Sequence, residues 1–505
     1  SNDIIGPAAD DDFREFSLAI QDFVSLYRPC SVCGPSAIAG EEPVAPPGEP
    51  ELFPSDDPGV MGINYLNAPF VIRNSARGVP TDPAYVFSSR VHGDPDTPVL
   101  EAYAGDPVRA RLIQGAQEEQ HVVRIHGMSW LQEPDDPESP RVNATPVGIS
   151  EAFNFEIPGL DCGAAGDCVG DYLYGGTSTD DMWAGAWGLM RVYRKNVQGL
   201  LPLPDNVLRA VNGATRFRVS GKAPPMANKP GTPCPAGAPV RTYDVIAVDA
   251  QITYNSEGDH DPYGLVYTAL EPGETPVEGA ARVRSGNPEP MVLRAHEGDC
   301  IEVTLTNMID PAGDFAIKHG PHGADQSGDG FDPPLVLEPP IGTPAGLRVS
   351  LHADLLSYDV RGSDGATIGF NRDQTVGPDE SIMYRWYAQD VSPGELGAMN
   401  LTDYGDVRGH RHHGLFAGLV VEPRGSTWAD PITGEVGTTG AQADIRVVDS
   451  SVDATDFREF VTFYQDGLNL WDAAGVALPD PFDHLPTPEE PAGALADSED
   501  RGEKA

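Results

Sequence analysis

The run Cys300-Ile-Glu-Val-Thr-Leu-Thr-Asn307 alternates apolar and polar side chains from Ile301 to Thr306. A period of two puts every second side chain on one face, so the stretch reads as a half-buried β-strand and not as a helix. Short runs of strand character recur at Phe70 to Arg73, Pro107 to Ile113, Gln120 to His126, Ala152 to Ile157 and Gly188 to Tyr193. A second series lies at Thr242 to Ala247, Pro290 to Arg294, Gly346 to His352, Ser381 to Ala388 and Leu415 to Glu422. The 56 Gly and 49 Pro, about a fifth of the 505 residues, supply the turns between such strands and are too many for a helical architecture. The length allows three or four domains, and 40% hydrophobic residues suffice for real cores, so the expected fold class is all-β, as tandem β-sandwiches with long loops.

Acidic residues outnumber basic ones 77 to 33, for a formal net charge of -44 and a pI near 4.4. Such a field disfavours nucleic acid and anionic membranes as partners. Only five of the basic residues are lysines: Lys195, Lys222, Lys229, Lys318 and Lys504. An acidic, lysine-poor surface fits solvation in high salt, and the same field concentrates divalent cations such as Mn²⁺ near the protein. No apolar run approaches the roughly 20 residues that span a bilayer, and the amino terminus lacks a basic-then-apolar export segment.

The six cysteines fall into three pairs along the chain, Cys30 with Cys33, Cys162 with Cys168, and Cys234 with Cys300. They read as disulfides of an oxidising compartment, so the expected location is secreted, extracellular or at the cell surface. Cys30-Ser-Val-Cys33 also has the spacing of a redox or metal pair, although no second Cys-x-x-Cys completes a four-thiolate zinc site. Cys300 is placed to staple its strand to the Pro-rich lead-in that contains Cys234.

Compared with itself, the chain repeats. Asp12-Phe-Arg-Glu-Phe16 followed by Gln21-Asp22 recurs as Asp456-Phe-Arg-Glu-Phe460 followed by Gln465-Asp466, a period of 444 residues. Ser55-Asp-Asp-Pro-Gly59 lines up with Ser498-Glu-Asp-Arg-Gly502 after a one-residue slip. The expected organisation is a tail over 1–11, a β domain over 12–195, a Pro/Gly-rich connector over 196–239, a second β domain over 240–425, a linker over 426–444, and the start of an incomplete third domain over 445–505, with strands at Ile445 to Val448 and Phe457 to Asn469. A partial sandwich exposes a strand edge and an apolar face, so the third domain expects completion by other domains of a longer polypeptide or by a neighbouring copy.

Several segments carry a resemblance to the multicopper oxidase family, of the large kind built from cupredoxin repeats and acting on metal ions. Gly414-Leu-Phe-Ala-Gly-Leu-Val-Val-Glu-Pro423 resembles the last strand of a cupredoxin domain. His121-Val-Val-Arg-Ile-His126-Gly127-Met128 resembles the family's His-Pro-x-His-Leu-His-Gly-His segment, whose first His binds type 1 copper and whose inner pair binds the type 2 and type 3 coppers. His121 and His126 match, Arg124 takes the place of one inner ligand, and Met128 replaces the last His. Ser350-Leu-His352-Ala-Asp354 resembles the family's second His-x-His pair, with His352 matching and Asp354 in place of the second His. Pro378-Asp-Glu-Ser-Ile-Met-Tyr-Arg-Trp-Tyr-Ala388 resembles the Pro-Gly-Glu-Ser-x-x-Tyr strand that sets this register. Where the family carries Trp-Tyr-His-x-His, this chain reads Leu401-Thr-Asp-Tyr-Gly-Asp406.

The resemblance implies Greek-key, cupredoxin-like sandwiches and a secreted enzyme. In that family a type 1 copper takes electrons singly from metal ions or phenols and passes them to a trinuclear cluster that reduces dioxygen to water. No Cys lies between 168 and 234, so the thiolate of a type 1 site is missing, and no catalytic residue is assigned. The chain then reads as scaffold of such a protein, with the coppers in other domains. The competing class is a non-catalytic extracellular structural or metal-binding protein that assembles through its incomplete third domain.

Other clusters allow metals locally. His410-Arg-His412-His413 precedes a strand, where alternation would set His410 and His412 on one face to hold Cu²⁺, Zn²⁺ or Ni²⁺; the other reading is a hydrogen-bonded loop beside a domain seam. The candidate metal residues are therefore His121, His126, His352, His410, His412 and His413, with copper as the candidate ion. His319 and His322 with Asp325 form a turn open to a metal, and Asp325, Asp329 and Asp332 resemble a loose calcium loop without its closing Glu. Tyr172, Tyr174, Trp183 and Trp187 read as core. No Gly-x-Ser-x-Gly elbow, phosphate loop or dinucleotide fingerprint occurs.

Overall fold

The alternating run folds as a strand with the bounds Cys300–Asn307, burying Ile301, Val303 and Leu305 and leaving Glu302, Thr304 and Thr306 half-buried. The structure is a computed structural model that describes residues 2–5, 12–22, 27–29, 41–43, 61–70, 73, 82–115, 120–157, 168–204, 206, 213–313, 315, 346–389, 397–407, 409–448, 455–465, 468 and 470–475. Cys30, Cys33, Cys162 and the 319–332 metal-loop residues lie outside these, and Cys168 is disulfide-bonded. The expected Cys234–Cys300 disulfide is formed, with the Cα atoms 5.6 Å apart.

The first half contributes, in chain order, β1 (Asn2–Ile4), β2 (Phe13–Gln21), β3 (Gly62–Ile63), β4 (Val99–Tyr103), β5 (Val108–Gln114), β6 (His121–Ile125), β7 (Ala144–Val147), β8 (Ala152–Ile157), β9 (Gly170–Gly176) and β10 (Trp187–Tyr193). One sheet has the order β1-β2-β5-β8 with β3 on β2, and the other β7-β6-β9-β10-β4. The second half contributes β11 (Val240–Asp249), β12 (Leu265–Ala269), β13 (Val292–His296), β14 (Cys300–Asn307), β15 (His352–Ala353), β16 (Ser381–Tyr387), β17 (Ala398–Thr402) and β18 (Phe416–Glu422), as sheets β12-β11-β14-β16 and β13-β18-β17-β15.

The two halves share one connectivity. β2 runs parallel to β5 as β11 does to β14, β10 runs parallel to β4 as β18 does to β13, and β6-β9-β10 corresponds to β15-β17-β18. Each pair of sheets encloses its own apolar core, one built on Phe16, Leu112, Ile125 and Met190, the other on Val245, Leu305, Leu351 and Leu419. The fold class is thus all-β, as two sandwiches in tandem. No helix among the described residues is long and apolar enough to cross a membrane.

A third apolar cluster joins them. Along β10, Met190 and Val192 enter the first core, while Trp187 and Leu189 point the other way and pack with Phe87, Ile368 and Tyr404. Burial on both faces explains why Trp187-Gly-Leu-Met-Arg-Val-Tyr193 shows no alternation. Gly188 is required there, since an added Cβ would lie 2.4 Å from the Tyr174 ring.

Four expectations need correction. Phe70 and Arg73 are helical, because the Arg73 N–H closes a local turn on the Pro69 carbonyl at 3.4 Å, a contact within reach without any partner strand. Of Gly346 to His352 only the last residue enters a strand, and the strand expected from Phe457 to Asn469 stops at Phe460. Ser426–Ala429, read as linker, forms β19, which pairs with β20 (Gln442–Val447) and through it with β21 (Phe457–Phe460).

This last sheet reproduces the start of the chain. Asn2, Asp3 and Ile4 pair with Glu15, Arg14 and Phe13, and Ala443, Asp444 and Ile445 pair with Glu459, Arg458 and Phe457 in the same register. The same cross-strand ion pair forms twice, Arg14 to Asp3 at 2.8 Å and Arg458 to Asp444 at 2.6 Å. Fully buried Arg294 of β13 ties the sheet to the second sandwich through Glu459 at 2.7 Å and the Gly440 carbonyl at 3.0 Å. The packing of the copies differs: Phe16 is 2% exposed and its counterpart Phe460 65%. Emptying a packed core site costs about 3–5 kcal/mol, whereas an exposed ring contributes little. Phe16→Ala should therefore lower the thermal unfolding midpoint by several degrees, and Phe460→Ala should leave it within about a degree, as read by circular dichroism.

Candidate functional site at the seam between the sandwiches

Strand alternation aims four polar side chains into the seam. On β6, Val123 and Ile125 enter the first core, so Arg124 and the following His126 face the second sandwich. On the equivalent strand β15, Leu351 and Ala353 enter the second core, so His352 and Asp354 face back. All four are buried. The His126 and His352 rings stack with centroids 4.1 Å apart and planes at 28°. Arg124 Nη1 donates to Asp354 Oδ1 at 2.8 Å.

Loops complete the network. His126 Nδ1 lies 3.1 Å from both carboxylate oxygens of Asp364, and its Nε2 lies 3.0 Å from the Tyr404 hydroxyl. The Arg124 guanidinium also donates to that hydroxyl. His352 Nδ1 donates to the Asp364 carbonyl at 2.6 Å, and its Nε2 lies 3.3 Å from Asp354 Oδ1, which also accepts from Asn143 Nδ2 at 3.1 Å. Gln374 Oε1 accepts from the Asp364 N–H at 2.7 Å and fixes that loop.

The two imidazoles are pulled in opposite directions. Burial pulls His126 down to about 3 against the pull of Asp364, and neighbouring His352 adds to the drop. Burial opposes the His352 cation too, but Asp354 and Asp364 together raise it above its ordinary value. Burial also penalises both carboxylates, yet Arg124 holds Asp354, and His126 holds Asp364, well below the usual carboxylate range. Neutral His126 then donates from Nδ1 to Asp364 and accepts from Tyr404 at Nε2.

The other candidate histidines sit elsewhere. His121 is buried with Nδ1 3.1 Å from Asp181 and Nε2 3.8 Å from Asp22. His410 and His412 belong to a short helix, Gly409–His412, so the strand alternation expected of them does not apply; a helical step of about 100° per residue turns the two apart. His410 Nδ1 pairs with Asp403 at 2.8 Å and its Nε2 donates to the Gly346 carbonyl; burial lowers this imidazole, but Asp403 outweighs it and raises the pKa to about 9. His413 pairs instead with Asp261 at 2.7 Å. Tyr404 and Asp364 were missed by the sequence reading. Tyr404 lies in the Leu401 to Asp406 segment, which stands where the resembling motif reads Trp-Tyr-His-x-His, and that was the available signal; Asp364 sits in a loop with no motif.

His126, His352 and Asp364 each offer one ligand atom, all within 4.8 Å of one another, so this buried triad has the donors for a single divalent ion. A three-copper cluster does not fit. It needs imidazoles where Arg124 and Asp354 stand, and those two neutralise each other.

No protein-family model matches the chain, and no curated protein matches it. Among solved structures it is similar to a multi-copper oxidase from Pseudomonas thermotolerans, at 13% identity and a TM-score of 0.32 over 81% of this chain and 99% of that one. A laccase from Botrytis aclada matches at 13% identity and TM-score 0.22, over 83% and 66% of the two chains. A copper nitrite reductase from Nitrosomonas europaea matches at 12% identity and TM-score 0.20, over 81% and 94%. Likeness at this level says nothing about activity, so function is read from the residues.

Removing one partner of a buried ion pair strands the other and costs about 3–5 kcal/mol. Arg124→Met and Asp354→Leu should each destabilise by that order, and the double variant by clearly less than their sum, in a double-mutant cycle read by urea unfolding. His410 sets an alkaline limb. Its folded pKa lies above the unfolded 6.5, so its stabilisation is complete below pH 6.5 and is lost as pH rises through about 9. The unfolding midpoint should fall across that window, and His410→Gln should flatten the fall.

Proposed function

We propose that this chain is the copper-free scaffold portion of a secreted multicopper oxidase-like protein. The carrying observation is the Arg124–Asp354 pair. The two residues that take the places of copper ligands in the matching motifs find each other across the seam at 2.8 Å, and Tyr404 caps His126 Nε2 at 3.0 Å. A guanidinium supplies the positive charge that a metal would bring, and the hydroxyl occupies the imidazole nitrogen that would ligate it. His126 and His352 then clasp two sandwiches, and the oxidation of metal ions or phenols belongs to copper sites outside this chain. The acidic surface supports an extracellular, salt-rich setting with divalent cations close by.

A second reading rests on a separate observation. β20 and β21 copy β1 and β2 in register, yet Phe460 and Tyr464 are 65% and 97% exposed where Phe16 and Ile20 are each 2% exposed. In this reading a neighbouring copy supplies strands that pair with β21 and cover Phe460 and Tyr464, and the chain is an assembly module.

Metal content and the visible spectrum, measured on protein of known mass, test the first reading. Copper well below one per chain and no blue band are expected; several coppers with a blue band would overturn it. Light scattering across a concentration series tests the second. Growth in mass that Phe460→Asp abolishes would support it, and a constant mass would sink it.

A further inference from the structure

A cavity of about 980 Å³ opens where the connector crosses between the sandwiches, and none of the seam residues described above lines it. Its walls come from the end of β10, from connector residues 214–217 and 228–231, and from the loop over 359–372. Arg90, Arg194, Lys195, Arg216, Lys229 and Arg372 line it. Its two carboxylates are both taken, Asp171 by Arg191 at 2.6 Å and Asp359 by Arg361 at 2.9 Å. Among the described residues Lys195, Arg216, Lys229 and Arg372 have no ion-pair partner, and Arg90 Nε is buried without an acceptor.

In a chain with 77 acidic residues against 33 basic ones, chance mixing would set carboxylates among these cations. Like charges gathered at close range repel, and an anion between them reverses the sign of that energy. The floor is aromatic: Phe217 and Phe370 stack with centroids 4.5 Å apart and planes at 15°, the Arg191 guanidinium lies about 5 Å from both rings, and Phe217 stays 42% exposed. Guanidinium forks match carboxylate oxygens in pairs, and an exposed ring face stacks on a flat ligand. The volume suits a small molecule, while the acidic surface around it turns away a long polyanion.

The geometry points to a binding site for a small aromatic polycarboxylate. It stands on observations separate from the proposed scaffold role and survives if that role fails. Calorimetric titration with benzene-1,3,5-tricarboxylate in 0.15 M NaCl, with citrate as the non-aromatic comparison, tests it. Saturable binding of one tricarboxylate per chain is expected, weakened at least tenfold by Arg216→Ala combined with Lys229→Ala. Both side chains are exposed, so an unchanged unfolding midpoint checks that this variant folds. Phe217→Leu should weaken the aromatic probe severalfold and leave citrate unchanged. Absence of saturable binding, or binding untouched by the double substitution, would overturn the site. Equal losses for both probes in Phe217→Leu would overturn its aromatic selectivity.

Discussion

The ion pair of Arg124 with Asp354 is the constraint on which the seam depends. A charge taken from water into a protein interior costs several kcal/mol unless its partner is close and its remaining hydrogen-bonding capacity is met. Here the guanidinium is met by Asp354 and by the Tyr404 hydroxyl, and Asp354 by Arg124, His352 and Asn143. Each partner comes from a different part of the chain, so the network forms only when the two sandwiches hold one relative position. The apolar cluster of Phe87, Trp187, Leu189 and Ile368 beside it supplies the dry surroundings, and Tyr404 belongs to both.

The site follows from a duplicated architecture. Because β6 and β15 hold the same place in their sheets, alternation sends one pair of polar residues from each toward the partner sandwich. Two halves with one connectivity, facing one another, thereby build a single centre that neither contains alone. The sheet β19-β20-β21 repeats the register of β1 and β2, down to the Asp–Arg cross-strand pair, and Arg294 anchors it on the second sandwich.

Much of this was legible before any coordinates. Alternation located Cys300–Asn307, a run of strand character located Ala152–Ile157, both with their observed bounds, and the motif matches singled out His121, His126 and His352 with Arg124 and Asp354 beside them, of which folding leaves His121 apart. His410 to His413 shows where local pattern misleads. A four-residue stretch carries too few residues to separate a period of two from 3.6, and a helical turn there sends His410 to Asp403 and His413 to Asp261. The cationic cavity was likewise hidden, because its basic residues are spread from Arg90 to Arg372 and only folding gathers them.

The sequence by itself determined the alternating strand Cys300–Asn307, the all-β class, the repeat and the absence of any Cys between 168 and 234, because periodicity, turn composition and residue identity are local properties. Tertiary structure decided the partners of Arg124 and His126. That Arg124 answers Asp354, 230 positions along the chain, and that Tyr404 and Asp364 close on His126, depends on long-range packing of two sheets whose relative placement no local pattern encodes.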